Sequence, residues 1–498
     1  MPQKSKSRKG DLSAEAIVSD ASISRDVSRA VKGGALRKLA SRLYTSNLTD
    51  QPEKIVRRNL WSIVAVYFPG ALIADRTALE NEPASDGSIC LITKTGKNID
   101  LPGLILRPRR GRGPLPSDRP FIGGLHLSSI ARAYLENIRP SRARAGVART
   151  LSRRQIEERL DTLIRHGGPE AAKRLRDEIR TAARLLSLQR EAKQLDTLIG
   201  ALLGTRDAAL ATPSGRARRQ GTPFDPNRLT LFQTLHSALR SQPPITRMAP
   251  KRTASATSTL AFYEAYFSNF IEGTEFAVKE AAAIIFRGVI PRARPADAHD
   301  VLGTWRLVSN AKEMSRIPRD GDSLLELLRS RHAGIMKGRP DRRPGEFKDS
   351  ENRAGGTVFV APELVIGTLT RGFELGRSLE TPFQRAVFMM LLVAEVHPFV
   401  DGNGRTARIM MNAELIAAGE ERIVIPTVYR ANYLSALKAL SQSGHPEPLI
   451  RTMDFAQRWT NAISWRSVND THRALAKSNA FLDPAAAEQD GKRLILPS

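Results

Sequence analysis

The stretch VAEVHPFVDGNGRTARIMM, residues 393–411, decides how this chain folds and what chemistry it can hold. An apolar run stops at His397, passes through Asp401, Gly402 and Gly404, and restarts as an apolar run carrying Arg405 and Arg408. Just upstream, ETPFQRAVFMMLLVAEV (380–396) is apolar nearly all round, the pattern of a helix buried on every side. Pro382 near its start suits a helix N-terminus. Downstream, TARIMMNAELIAAG (406–419) reads as a second helix closed by Gly419. The loop between them opens onto the N-terminus of a buried helix. Free N–H groups and the helix dipole make such a place an anion site.

Each loop residue then has a chemical reason. Gly402 and Gly404 let the backbone take positive φ and approach a ligand closely. Successive N–H groups there can form a nest for phosphate oxygens. Arg405 and Arg408, on the first turn of the second helix, offer forked donors that match phosphate. Asp401 brings a hard oxygen to the same space, and one carboxylate plus substrate phosphates is the usual way to hold Mg2+. His397 ends the first helix, and a neutral imidazole can take a proton from an attacking hydroxyl. Base, metal ligand, anion cradle and phosphate-binding arginines are the parts of phosphoryl or nucleotidyl transfer.

The string HPFVDGNGR, continued by Arg408, resembles the Fic motif without a departure. The resemblance implies a helical Fic core. It implies that His397 deprotonates a hydroxyl of a target side chain, which attacks the α-phosphate of ATP, so that AMP stays on the target and pyrophosphate leaves. It also implies Asp401 as the Mg2+ ligand, an anion hole from Gly402, Asn403 and Gly404, and phosphate contacts from Arg405 and, at the γ-phosphate, Arg408. Phe399 is expected to pack into the core and fix the loop. Relatives of the Doc toxin type carry a lysine where this chain has Gly404 and act as kinases, so Gly404 favours nucleotidyl transfer. Other histidines, such as His236, His299 and His332, read as satisfied core residues.

A second motif lies upstream in FYEAYFSNFIEGTEF, residues 262–276. Ser268 and Glu272 share a helix face, and Gly273 ends or bends the helix. The pattern resembles the inhibitory motif Ser/Thr-x-x-x-Glu-Gly/Asn found ahead of the core in one class of Fic proteins. That implies Glu272 pairing with Arg408 in the place of the γ-phosphate and holding the enzyme weakly active. The hairpin GEFKDSENRAGGTVFVAPELV (345–365) is similar to the Fic flap, along which an extended target segment adds as a strand. VYRANYLSAL (428–437) resembles a motif that follows the core and implies Tyr433 beside the nucleotide base.

The rest of the chain is less specific. Its 498 residues suit two to four domains, and 41% hydrophobic residues can fill packed cores. One cysteine, Cys90, rules out a disulfide framework and any cysteine-rich metal site, and fits a reducing compartment. The net charge of +26 favours nucleic acid or other acidic partners. Residues 1–12 read as a disordered basic tail. Residues 13–48 read as short helices, a Gly33-Gly34 turn, a second helix and the strand RLYTSN. Over 13–125 this pattern resembles the winged-helix and linker of AbiE-type antitoxin regulators, which implies DNA as a partner. The basic loop RPRRGRGPLPSDRP (107–120) either tracks phosphates or is simply exposed. Residues 126–227 read as basic helices ending in a turn-rich linker at 212–227, residues 228–465 as the Fic domain, and residues 466–498 as a polar tail with little pattern.

The N-terminus leads into no apolar signal segment, and no window approaches the roughly 20 apolar residues a membrane span needs. The expectation is a cytoplasmic protein with no membrane partner. Its fold is mainly α, a Fic-type helical core with a small β-hairpin flap plus an N-terminal α+β winged-helix-like region. Its leading function is an autoinhibited protein adenylyltransferase that modifies a target protein or itself. The alternatives are a DNA-bound regulator whose Fic core modifies itself or a neighbour, and a toxin-like module acting on a nucleic-acid enzyme.

Overall fold

The computed structural model describes residues 14–94, 96–143 and 146–497, so the basic tail expected at 1–12 lies outside the described residues. The chain divides into two compact units, residues 1–220 and 221–498. Helices dominate, and no helix among the described residues is long and apolar enough to cross a membrane.

The first unit begins with a three-stranded antiparallel sheet, β1 (Ala16–Val18), β2 (Arg37–Ala40) and β3 (Leu43–Thr45), ordered β1-β3-β2. A single helix, Ser24–Lys32, joins β1 to β2. The second helix expected after Gly33-Gly34 is instead the hairpin β2–β3. Leu36, Leu39 and Leu43 sit at spacings of three and four, which a short helix or a strand can both use. Pairing of β3 with β1, and Arg42 at φ 63° in the turn, select the hairpin.

Beyond it lies a mixed six-stranded sheet built from β4 (Leu72–Ile73), β5 (Ser88–Thr93), β6 (Ile99–Leu101), β7 (Leu104–Arg110), β8 (Arg119–Pro120) and β9 (His126–Leu127), in the order β6-β7-β5-β4-β9-β8. Residues 107–110 are therefore strand β7 and not a loop. Arg109 turns inward onto the buried carboxylate of Asp75 at 2.8 Å. Helices Ile130–Asn137, Arg153–Leu186 and Gln189–Leu202 bury Leu135, Leu160, Leu175 and Leu195 against one another. Gly168, at φ 66°, and Pro169 break the long helix in two. The expected linker at 212–227 is half helix, Pro213–Arg219, capped by the Thr212 hydroxyl.

The second unit is an almost wholly helical body around the helix Pro382–Val396. Thr381 and Gln384 close its N-terminus in a capping box behind Pro382. It is apolar all round because helices Pro226–Ser241, Val365–Arg377 and Asn403–Ala417 cover it. A Cβ at Gly376 would strike the Phe388 ring, so glycine is what lets one of these helices come so near. The flap is a minimal hairpin, β10 (Arg353–Ala354) with β11 (Thr357–Val358).

The segment 466–498 is not a patternless tail. Helices Val468–Lys477 and Pro484–Gln489 bring Leu475, Ala480, Ala487 and Leu494 into a cluster with Phe262, Tyr263 and Phe267 of the helix Ala254–Ile271. The Tyr263 hydroxyl donates to the Val468 carbonyl at 2.9 Å. The segment has few apolar residues of its own because its aromatic partners come from elsewhere.

Candidate active site

Where the helix Pro382–Val396 ends, His397 takes φ 53°, a left-handed conformation that non-glycine residues adopt rarely and mostly where the surroundings hold them. That turn breaks the helix and swings the imidazole out. The Nδ1 atom lies 3.2 Å from the Ala394 carbonyl, a partner that only an N–H can serve. The proton therefore sits on Nδ1, and Nε2 keeps the lone pair. Burial drives the imidazole down to about 4, so it is neutral at pH 7. The Phe359 ring of the flap stacks on it at 3.8 Å.

The loop is braced from within. Phe399 is fully buried and stacks face to face on His332 at 3.7 Å. His332 Nδ1 accepts the Gly345 N–H at 2.9 Å, which leaves Nε2 to donate to the Asp401 carbonyl at 3.0 Å. One histidine thus ties the base of the flap to the loop. It is a satisfied core histidine, yet its support of the loop had no local signal, since Asp401 lies 69 positions away. Asn403 also turns inward: its side chain accepts the Phe399 N–H at 2.9 Å and donates to the Phe399 carbonyl at 2.8 Å. Any anion contact from Asn403 therefore comes from its backbone.

Gly402, at φ 72°, turns the chain into the helix Asn403–Ala417. The first N–H groups of that helix have no intrahelical acceptor and point at the loop. Asp401 is 43% exposed, with Oδ1 accepting the Gly402 N–H at 2.6 Å. Among the described residues no group of three His, Cys, Asp or Glu side chains is placed to hold a metal ion. The donor set here, one accessible carboxylate, fits Mg2+ shared with substrate phosphates.

The two arginines part ways. Arg405 is 3% exposed and pairs with the buried Asp300 at 2.9 Å, with Asp401 at 3.9 Å. Its Nη1 also donates to Asn269 Oδ1 at 3.4 Å, so the guanidinium ties the start of the helix to two neighbouring helices. Arg408 stays with the cradle. Its Nε donates to the Ser268 hydroxyl at 3.0 Å and its Nη2 to the Ser268 carbonyl at 2.8 Å and to Glu272 Oε1 at 2.7 Å. Glu272 caps the helix Ala254–Ile271, and Gly273 at φ 86° turns the chain away. The Glu272 carboxylate also lies directly on Gly404, where any Cβ would overlap it. Tyr433 is 2% exposed, with its hydroxyl beside the Arg408 guanidinium.

A neutral histidine thus stands beside a glycine-rich turn at a buried helix N-terminus, a place where an anion and a proton acceptor can meet. Residues 323–415 match the Fic/DOC family. The chain is 27% identical over 236 residues to the protein adenylyltransferase Fic of Drosophila ananassae, a match covering 44% of this chain and 46% of that protein. It is 29% identical over 215 residues to the protein of the same name in Drosophila melanogaster, covering 41% of this chain and 42% of that one. The chain thus spans less than half the length of these relatives. A solved structure of C. elegans Fic-1 aligns over 61% of this chain and 88% of that one, at 21% identity and a TM-score of 0.35.

Proposed function

We propose that this protein transfers AMP from ATP to a hydroxyl side chain of a target protein, itself included, and that Glu272 holds it in a low-activity state. The observation that carries this reading is the Glu272 carboxylate seated on Gly404 and paired with Arg408 at 2.7 Å. The cradle built for an anion already holds one of the chain's own. The naming of the Drosophila relatives as adenylyltransferases supports the same reaction.

In this reaction His397 Nε2 takes the proton of the attacking hydroxyl, and the hydroxyl oxygen bonds to the α-phosphorus. The bond to the bridging oxygen breaks and pyrophosphate leaves. The N–H groups at the start of the helix Asn403–Ala417 meet the charge that builds on the α-phosphate. Asp401 would hold Mg2+, which when bound offsets phosphate charge. Arg408 receives the γ-phosphate once Glu272 withdraws. With Glu272 in place the triphosphate sits displaced, and about 1 Å of misplacement can lower a rate by about a hundredfold.

The test is intact mass spectrometry of the full chain carrying Glu272→Gly, incubated with ATP and Mg2+. A mass gain of one AMP is expected, absent in the doubly substituted Glu272→Gly, His397→Ala protein. No gain in the first would overturn the reading.

DNA contact through residues 13–125, in the cytoplasm, is the second reading, and the net charge of +26 favours it. Retention of the whole chain on DNA that falls steeply as salt rises would support it. Retention independent of salt would not.

A further inference from the structure

Lys348 lies where the flap leaves the helical body and is 4% exposed. Its Nζ donates to Asn352 Oδ1 at 2.6 Å and reaches the Val396 carbonyl at 3.5 Å. Its backbone N–H donates to the Pro398 carbonyl at 2.9 Å. Asn352 then donates through Nδ2 to the Phe399 carbonyl at 2.9 Å, and its own carbonyl accepts the Phe359 N–H at 3.3 Å. These bonds reach residues 396, 398 and 399 on either side of His397, and they end at the phenylalanine stacked on it. Among the described residues no carboxylate pairs with the ammonium. The charged groups facing it are Arg228 of the helix Pro226–Ser241 and Glu351 of the flap, with the neutral imidazole of His397 on the loop side. Arg228 is itself paired with Glu395 at 2.6 Å. Burying a cation against neutral acceptors alone is expensive, and an apolar side chain would fill the space at less cost.

Resting on the proposed transfer reaction, we propose that Lys348 is a positioning residue whose ammonium group latches the flap to the loop bearing His397, so that an incoming target strand is held in register with the base. Charge-assisted hydrogen bonds are roughly twice as strong as neutral ones, so the latch grips firmly only while Lys348 is protonated. Burial, with the Arg228 charge adding to it, pulls this lysine down to about 8. The latch is therefore intact below about pH 8 and loosens as the pH rises through that value. His397, already neutral, does not titrate there.

The test uses the full chain with Glu272→Gly as parent, Mg2+ and labelled ATP as the probe, and self-labelling as the rate. Amide exchange of residues 353–359 is the second readout. Lys348→Met should quicken exchange of the flap and slow labelling by about tenfold or more. Lys348→Arg should keep both near the parent. A guanidinium does not titrate, so this variant should also lose the decline in rate above pH 8. Flap exchange and labelling unchanged in Lys348→Met, or an alkaline decline persisting in Lys348→Arg, overturns the latch. If Lys348→Met fails to fold, the Lys348→Arg profile decides. A parent that gains no AMP overturns the transfer reading instead, and the exchange arm still tests the latch.

Discussion

Glu272 and Arg408 meet at 2.7 Å, one from the end of the helix Ala254–Ile271, the other from the helix that follows the catalytic loop. Arg408 is buried, its side chain 6% exposed, while the Glu272 side chain keeps 29% of its surface open to water. A charged pair in that setting is hard to displace by half, because removing either partner leaves the other charge unmatched. Glu272 alone also touches Gly404, so it blocks the cradle by volume as well as by charge.

Those two effects can be separated. Glu272→Gln keeps the shape and drops the charge, while Glu272→Gly removes both. Self-labelling should rise in the order wild type, Glu272→Gln, Glu272→Gly, with the last about a hundredfold above the first. If Glu272→Gln labels as slowly as wild type, volume and not charge is what closes the site.

The pH profile of the released enzyme follows from His397. Burial holds its imidazole at about 4, so it becomes a competent base as the pH rises through 4 and stays one above that. The Glu272 carboxylate raises this value, so Glu272→Gly should lower it further. The labelling rate of the Glu272→Gly protein should therefore show no acidic decline between pH 5.5 and 7.5. A midpoint near 6.5 in that limb would mean that the imidazole is solvated and not held as described.

His332 gives a test of the loop that leaves the loop's own residues untouched. His332→Phe preserves the stack on Phe399 but removes the donor to the Asp401 carbonyl and the acceptor of the Gly345 N–H. Each orphaned buried group costs about 1–3 kcal/mol. Urea unfolding should register the loss of both, about 2–6 kcal/mol in all, and labelling in the Glu272→Gly background should fall. Stability equal to the parent would show that neither bond is made.

What could be read in advance follows a physical line. The buried helix, the loop and the second helix were legible because an all-round apolar run, two glycines and a histidine report local geometry. Side-chain direction was not. Arg405 and Asn403 look as available as Arg408 and Gly404 until Asp300 and Phe399 claim them, and Asp300 lies far off in the chain. The hairpin β2–β3 reads as a helix in the sequence because short leucine spacings serve both. The division into units falls at residues 220 and 221, just past a helix that the Pro and Gly content of 212–227 conceals.

The helices of residues 468–489 pack behind the helix that bears Glu272, although the sequence there shows little apolar pattern. Leu475 is fully buried against the aromatic side of the helix that presents Ser268 and Glu272. The Phe481 ring lies 5.5 Å from Phe267, one residue before Ser268. Packing on that side holds the helix at the height where Glu272 meets Arg408. Leu475→Ala removes buried methyl groups from the support and should cost about 2–5 kcal/mol in a denaturation experiment. In a chain that keeps Glu272, the same substitution should also raise self-labelling, because a helix with a looser backing holds its glutamate less firmly. Reduced stability with labelling still at the wild-type level would show that the C-terminal helices prop up the fold without setting the brake.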